Sequence, residues 1–348
     1  MDLDITKQLL VQAMREEVAH PPGGLNMCPE PADDADRPLD EKSLKKFQRK
    51  ASKKIPRDVA GIEDNPELKP YKILVASPQE LEKFSAEPLK SMIPEWEGVS
   101  VRPERAIEYE KFRPEMRLGN EPVDPLVVQG TDERRRYNDR RYPWGCICRV
   151  VTSAGVGSGI LIGPRHVLTA SHVVNWSVPG GVNGSVEVHR AGASVRATSR
   201  INRVFAFTQV TGSGVPWSQL DEDYAVLELD DNLGNRYGWL GTRTYSSGWD
   251  GDAFWYNVGH PGDVGNTRWP TWQRSKWLDE HAWDFGSGRS MDTDADLNPG
   301  NSGGPMFAWW SDGPYVVAVV SAHSVSSGEN YCAGGRDLPR LVRWAQSS

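Results

Sequence analysis

Short apolar runs recur from residue 143 to the end of the chain, and turn-forming residues separate them. The runs are rich in valine, isoleucine and aromatic residues, as in CICRVVT, GSGILIG, YAVLEL and PYVVAVVSA, with glycine, proline, asparagine and aspartate between them. Such spacing is typical of antiparallel strands that close into a sandwich or a barrel. Residues 338–345 have the pattern of a short helix. We therefore expect a mainly β domain with a short C-terminal helix.

Residue usage divides the chain into two regions. Residues 1–126 hold 15 of the 25 prolines but only 5 of the 34 glycines and one of the 14 tryptophans, and about a third of them are charged. This pattern predicts a charged α or α/β N-terminal region at 1–126 and a β domain at 127–348. Within the first region, residues 71–76 read as a strand, and residues 77–80 (SPQE) match a helix capping box with proline at the first helical position. Residues 115–126, with two prolines, are predicted to be a linker.

Composition excludes several classes of protein. The formal net charge of -7 provides no broad basic field for nucleic acid. No apolar run reaches the ~18–20 residues that a membrane span needs. No CxxC pair or HExxH motif occurs, so the sequence implies no metal and no cofactor. The first 30 residues lack the basic start and the apolar stretch of a secretory signal.

Two further features leave their structural roles open. One interpretation is a disulfide between Cys332 and either Cys146 or Cys148. The other is that the three cysteines are buried free thiols. Residues 134–141 are rich in arginine, and acidic residues interleave with them. This mixed pattern predicts a solvated surface loop.

Two of three local patterns supply a histidine and an aspartate suited to acyl transfer. His172 follows two apolar strands, at 157–163 and 167–170, so it lies at a strand end where a base reaches a cleft. Asp223 immediately precedes an alternating strand at 225–229, where its carboxylate enters the interior and accepts a hydrogen bond from an imidazole. Neither pattern is specific by itself.

The third pattern is residues 298–305, NPGNSGGP. Its glycines permit a tight backbone that exposes the Ser302 hydroxyl. They also allow the amides of Gly300 and Ser302 to point at one spot, as an oxyanion hole requires. The three patterns give the chain order His…Asp…Ser, which distinguishes the chymotrypsin arrangement from the subtilisin and α/β-hydrolase arrangements.

Motifs outside these three patterns narrow the assignment. They are residues 128–134 (VQGTDER), 142–144 (YPW), 258–263 (VGHPGD) and 322–324 (AHS). With them, the chain resembles the trypsin-like serine peptidases, and more narrowly the bacterial glutamyl endopeptidase branch that includes the exfoliative toxins. The resemblance begins near residue 128. His260 occupies a position where that branch usually has tyrosine.

The resemblance implies a chymotrypsin-like double six-stranded antiparallel β-barrel and a set of residue roles. Ser302 attacks the scissile carbonyl and forms an acyl-enzyme, and His172 takes and returns the proton. Asp223 fixes the orientation and tautomer of the imidazole. The amides of Gly300 and Ser302 stabilise the oxyanion. The implied activity is that of a serine endopeptidase acting on protein or peptide substrates.

Substrate selection is less determined by the motifs. The resemblance places His323 in the primary specificity pocket, where it favours glutamate or aspartate before the scissile bond, with Ser321 and Asp296 as further substrate-binding positions. Asp296 lies six residues before Ser302, the offset at which trypsin-type enzymes carry the acid that attracts lysine or arginine. Alternatively, the Asp296 carboxylate pairs with a charged His323 or points away from the pocket.

Two alternative functions stay open. Residues 294–302 also resemble the HtrA family, so an HtrA-like or broad-specificity peptidase without a PDZ domain is one alternative. A catalytically silent binding module on the same fold is the other, since fold does not guarantee function.

The resemblance also bears on the N-terminal region and on localisation. The linker before a mature-like start near Val128 predicts a precursor in which residues 1–126 are a pro-segment that packs on the peptidase domain or inhibits it. A targeting region is the competing hypothesis. The resemblance implies a secreted enzyme, whereas no signal peptide pattern is visible.

Overall fold

The computed structural model describes residues 72–96, 98–100, 106–107, 116–118, 121–123, 128, 131–176, 184–211, 214–281, 286–323 and 328–348. The strands are β1 (Lys72–Val75), β2 (Ala106–Ile107), β3 (Met116–Leu118), β4 (Glu121–Val123), β5 (Arg135–Tyr137), β6 (Ile147–Thr152), β7 (Gly155–Gly163), β8 (His166–Thr169), β9 (Ser185–Val188), β10 (Ala197–Ala206), β11 (Ala225–Leu229), β12 (Gly241–Thr242), β13 (Trp255–Gly259), β14 (Thr271–Lys276), β15 (Leu278–Glu280), β16 (Gly288–Thr293), β17 (Pro305–Trp310), β18 (Gly313–His323) and β19 (Asn330–Gly335). The α-helices are α1 (Pro78–Leu81), α2 (Leu233–Tyr237) and α3 (Asp337–Ser347).

The first sheet closes into a barrel. Its ring order is β6, β7, β8, β11, β10 and β9, and the β9–β10 and β9–β6 pairings complete the circle. All these ring pairings are antiparallel, and their register places Leu161, Val167, Val204 and Leu227, all of them buried, on one face of the closed sheet. The apolar runs therefore identified the barrel strands, because a closed sheet buries one face of every strand.

The second sheet contains ten strands. Its main path runs β15–β16–β19–β18–β17–β13–β14–β5–β2, and β12 lies beside β18. In the described ranges this path does not close into a ring, so the second unit is a half-barrel. Its core is aromatic, with edge-on and tilted ring contacts among Tyr245, Trp249, Trp255, Trp310 and Tyr315. The predicted mainly β architecture of two barrel-like sheets with a short C-terminal helix is confirmed.

A segment before residue 100 packs on the first barrel. Strand β1 pairs in parallel with β10 and so extends the barrel sheet by one strand. Helix α1 begins with the predicted capping box, in which the Ser77 Oγ accepts from the Glu80 amide and the Ser77 amide donates to the Glu80 carboxylate. Leu81 at the end of α1 is buried in the core cluster of the barrel.

Residues 89–96 contact residues 236–242, which include the end of α2 and strand β12. Short bridges join Leu89 to Thr242 and Met92 to Trp239, and the Trp96 indole donates to the Arg236 carbonyl at 3.0 Å. Within the predicted linker, β3 and β4 form an antiparallel pair, so this segment contains regular structure.

The described cysteines settle the question left open by the sequence. Cys146, Cys148 and Cys332 are free and buried, which agrees with the buried-thiol interpretation rather than a disulfide. Among the described residues, no helix has the length and apolar character needed to cross a membrane.

Candidate active site

His172 lies at the end of a barrel strand. After β8 the chain passes into a 3₁₀ turn at Ser171–Val173. The turn is anchored on both sides, since the Ser171 hydroxyl donates to the Thr208 carbonyl at 2.6 Å and the Thr152 hydroxyl donates to the Val173 carbonyl at 2.6 Å. About a quarter of the His172 side chain is exposed, so one edge of the ring is accessible from solvent.

Asp223 is the buried partner of His172. It follows the 3₁₀ helix Trp217–Glu222 and precedes β11, and its side chain is fully buried. One carboxylate oxygen accepts from the His172 amide at 2.9 Å, and the other lies 2.7 Å from His172 Nδ1. The second oxygen also accepts from the Ser321 hydroxyl at 2.5 Å. These bonds satisfy a carboxylate whose burial would otherwise be costly.

The His172–Asp223 contact determines the state of the imidazole. A carboxylate accepts hydrogen bonds, so Nδ1 carries the proton in the neutral ring and Nε2 is the free basic nitrogen. Burial of the ring lowers the pKa of His172, but attraction to the Asp223 charge and the hydrogen bond to it outweigh burial. The pKa of His172 is therefore raised above 6.5.

Ser302 lies in the glycine-rich loop between β16 and β17, and its side chain is partly exposed. In the described part of the chain, the Ser302 hydroxyl and the His172 ring share no hydrogen bond. Such bonds are often long in unliganded enzymes and tighten when a substrate binds. Gly300, two residues earlier, has a φ of +102°, and a Cβ there would lie 2.4 Å from the His260 carbonyl oxygen. This backbone conformation explains the glycine at position 300.

The three predicted substrate-binding residues have different surroundings. Ser321 directs its hydroxyl to Asp223. Asp296 is almost fully buried, and its Oδ2 accepts from the Glu133 amide at 2.7 Å. His323 lies at the end of β18, partly buried, with Nδ1 2.9 Å from the Glu329 carbonyl oxygen. Among the described residues, no ion pair joins Asp296 to His323.

Sequence reasoning missed a buried ion cluster next to this loop. The Arg134 side chain is fully buried and donates to both carboxylate oxygens of Asp263, at 3.0 and 2.5 Å, and to Asp132. Burial lowers the pKa of Arg134, but the two carboxylates raise it above its usual value, so the side chain stays charged. The predicted solvated loop at 134–141 is therefore wrong for Arg134, because both carboxylates replace water around its guanidinium.

This cluster reaches the serine loop. The Asp263 amide donates to the Asn298 side-chain oxygen at 3.3 Å. The PGD segment at 261–263 resembles a family motif, and the arginine run at 134–141 has the pattern of a surface loop. Together these two segments contain the sequence signal for a buried ion pair, since one supplies an arginine and the other supplies an aspartate.

The chain is similar to several known proteins. The model of the family "Trypsin-like peptidase domain" matches residues 157–319. A glutamyl endopeptidase of Bacillus licheniformis is 29% identical over 240 residues, which is 65% of this chain and 72% of that protein. A solved structure of a Glu endopeptidase in complex with MPD has a TM-score of 0.52 at 21% identity, covering 64% of this chain and 100% of that one. This likeness confirms the chymotrypsin-like fold. Residues 157–319 of the chain therefore match the family of trypsin-like peptidase domains.

Proposed function

We propose that the chain is a serine endopeptidase whose triad is His172, Asp223 and Ser302. The observation that carries the proposal is the buried Asp223 carboxylate, which bonds both the ring and the amide of His172. This arrangement is the one expected for a histidine that must keep Nε2 free as a base. The glycine-rich loop around Ser302 supplies the complementary nucleophile.

In the proposed reaction, Ser302 Oγ forms a bond to the scissile carbonyl carbon while its proton passes to His172 Nε2. The carbonyl oxygen becomes an oxyanion, which accepts hydrogen bonds from the amides of Gly300 and Ser302. The carbon–nitrogen bond then breaks, and the leaving amine takes the proton from Nε2. Water repeats the two steps on the acyl-enzyme and releases the acid.

A fluorophosphonate probe tests the nucleophile. The full chain and a form that starts at Val128 are each treated with the probe, and the labelled peptide is identified by mass spectrometry. We expect label on Ser302, together with peptide turnover that disappears in Ser302→Ala. Failure of both forms to label contradicts the proposal. Labelling without any peptide turnover favours the silent binding module.

We further propose a preference for glutamate or aspartate before the scissile bond. The name of the related glutamyl endopeptidase supports this preference. The hydrogen bonding of His323 also supports it, because the Glu329 carbonyl accepts from Nδ1, so an imidazolium at this position has its Nε2–H available to donate to a substrate carboxylate. The carboxylate of Asp296 is bonded to the Glu133 amide, so that amide competes with any basic substrate side chain for it.

Matched peptides test this preference. Four substrates differ only in the residue before the cleaved bond, which is glutamate, aspartate, lysine or leucine. We expect the highest kcat/KM for glutamate and aspartate, and His323→Gln should reduce the acidic preference more than it reduces leucine cleavage. Faster cleavage after lysine indicates that Asp296, not His323, determines specificity.

For the N-terminal region, we propose that residues 72–96 stay bound to the barrel when the chain is cut near Val128. The β1–β10 pairing and the burial of Leu81 support this proposal. Mass spectrometry combined with size-exclusion chromatography tests it. Co-elution of the cleaved N-terminal fragment with an active peptidase is expected. Loss of the fragment with a gain of activity supports a releasable inhibitory pro-segment instead.

A further inference from the structure

The backbone of the serine loop is held by its carbonyl groups. All five carbonyl oxygens of residues 298–302 accept a hydrogen bond from within the protein. The donors, in chain order, are the Asn301 amide (2.9 Å), the Gly262 amide (2.7 Å), the Ser158 hydroxyl (2.6 Å), the Gly304 amide (2.7 Å) and the Ser158 amide (2.7 Å).

These bonds set the direction of the loop amides. In a trans peptide the C=O and the N–H point in opposite directions. Because the Pro299 carbonyl faces the Gly262 amide, the Gly300 N–H points the other way. By the same reasoning, the Asn301 carbonyl bonded to Gly304 turns the Ser302 N–H outward. In the part of the chain that the structure describes, neither amide has a hydrogen-bond partner.

Ser158 supplies two of the five donors from a different barrel. It lies in β7 with no exposed surface. Its hydroxyl oxygen accepts from the His260 amide at 2.8 Å. Since that amide occupies a lone pair, the single hydroxyl proton is free to point at the Gly300 carbonyl, 2.6 Å away. The Thr169 hydroxyl holds the Ser158 carbonyl at 2.7 Å and fixes the strand at this point.

We propose that Ser158 is a positioning residue for the oxyanion hole. Its hydroxyl fixes the Gly300–Asn301 peptide, which lies between the two amides that receive the developing negative charge. The inference rests on the proposed peptidase function for its kinetic consequence, whereas the loop conformation it predicts is observable without activity.

Alanine at this position removes the donor and leaves a buried carbonyl without a partner. The Gly300–Asn301 peptide then gains rotational freedom, helped by the wide conformational range of Gly300. An oxyanion hole acts on the transition state rather than on bound substrate. The loss should therefore appear in kcat and not in KM.

The experiment compares Ser158→Ala with Ser199→Ala in the full chain. Ser199 is the matched control because it is also a buried serine, in β10 and outside the serine loop. Its hydroxyl donates to Asp231 at 2.7 Å and accepts from the Asp231 amide. We expect Ser158→Ala to lower kcat by about 10- to 100-fold, less than the 10²–10³-fold typical of removing a donor itself. KM should stay within about threefold, and Ser199→Ala should leave both constants near wild type.

Two further measurements separate positioning from general damage. A peptide aldehyde, which forms a hemiacetal with the serine and occupies the oxyanion hole, should lose affinity for Ser158→Ala in parallel with kcat. Ser158→Thr, which keeps the hydroxyl, should retain more activity than Ser158→Ala. A crystal structure of Ser158→Ala should show the Gly300–Asn301 peptide rotated or in two orientations.

The inference is overturned if Ser158→Ala has wild-type kcat, if Ser199→Ala loses as much kcat, or if the loop of Ser158→Ala superimposes on the wild-type loop. A wild-type protein that neither labels nor turns over peptides refutes the proposed function instead. The crystal structure of Ser158→Ala still decides whether this hydroxyl holds the loop.

Discussion

Replacing Arg134 by methionine tests whether the buried ion cluster holds the second sheet together. The substitution keeps an apolar stem but removes the charge that faces Asp132 and Asp263. Side-chain exposure is 0% for Arg134, 1% for Asp132 and 2% for Asp263. Removing one partner of such a buried pair leaves an uncompensated charge and costs about 3–5 kcal/mol. That is a large share of the ~5–15 kcal/mol that stabilises a typical domain.

Urea unfolding followed by tryptophan fluorescence measures this cost. Arg165→Met is the matched control, since Arg165 is 35% exposed and lies 3.8 Å from Glu228. We expect a loss of about 3–5 kcal/mol in the free energy of unfolding for Arg134→Met and under about 1 kcal/mol for the control. Because the Asp263 amide bonds the Asn298 side chain, kcat should also fall in Arg134→Met.

An Arg134→Met protein that unfolds at the same urea concentration as Arg165→Met would refute this reasoning. Such a result means that the two carboxylates find water or other donors when the guanidinium is absent. The buried cluster would then contribute to the shape of the loop but not to stability. A fall in kcat without a fall in stability would separate these two roles.

Three further predictions concern the proposed catalytic groups. Asp223→Asn should lower kcat by about 10⁴-fold with little change in KM, because an amide facing Nδ1 favours the wrong imidazole tautomer; steady-state kinetics that show less than a tenfold loss contradict this role. The pKa of His172 is raised above 6.5, so kcat/KM should fall as the pH decreases, with a midpoint above 6.5. The fall is expected because the protonated ring no longer accepts the serine proton. A pH–rate profile that stays flat through that range argues against His172 as the base. Gly300→Ala should reduce kcat by at least about 10²-fold. The Cβ would lie 2.4 Å from the His260 carbonyl oxygen, and a φ of +102° disfavours alanine. Wild-type turnover in this variant would show that the loop adapts.

Local sequence signals were sufficient for the features that one segment determines. Alternating apolar runs identified the barrel strands, and the SPQE sequence identified the start of α1. The NPGNSGGP sequence located the serine loop because its glycines encode backbone geometry directly. His172 and Asp223 were predicted for a related reason, since each stands at the edge of a strand that the apolar pattern already defines.

Contacts between distant segments could not be predicted from local sequence in the same way. The Ser158–Gly300 hydrogen bond joins residues 142 positions apart, and the Arg134–Asp263 pair joins residues 129 apart. Neither residue type is unusual in its own segment, so only the three-dimensional register of two sheets brings them together. The orientation of Asp296 depends on where residues 131–134 lie, and the sequence left it open for that reason.

The candidate site contains residues from both the barrel and the half-barrel, so hydrogen bonds between the two sheets influence its geometry. His172 and Asp223 come from the first barrel, whereas Ser302 and Ser321 come from the second. Two serine hydroxyls cross between them, from Ser321 to the Asp223 carboxylate and from Ser158 to the serine loop. A single hydrogen bond adds only about 0.5–1.5 kcal/mol of net stability, so these contacts do not hold the barrels together. Apolar burial does that without directional preference, and the short hydroxyl bonds fix the register of the proposed base, nucleophile and oxyanion donors.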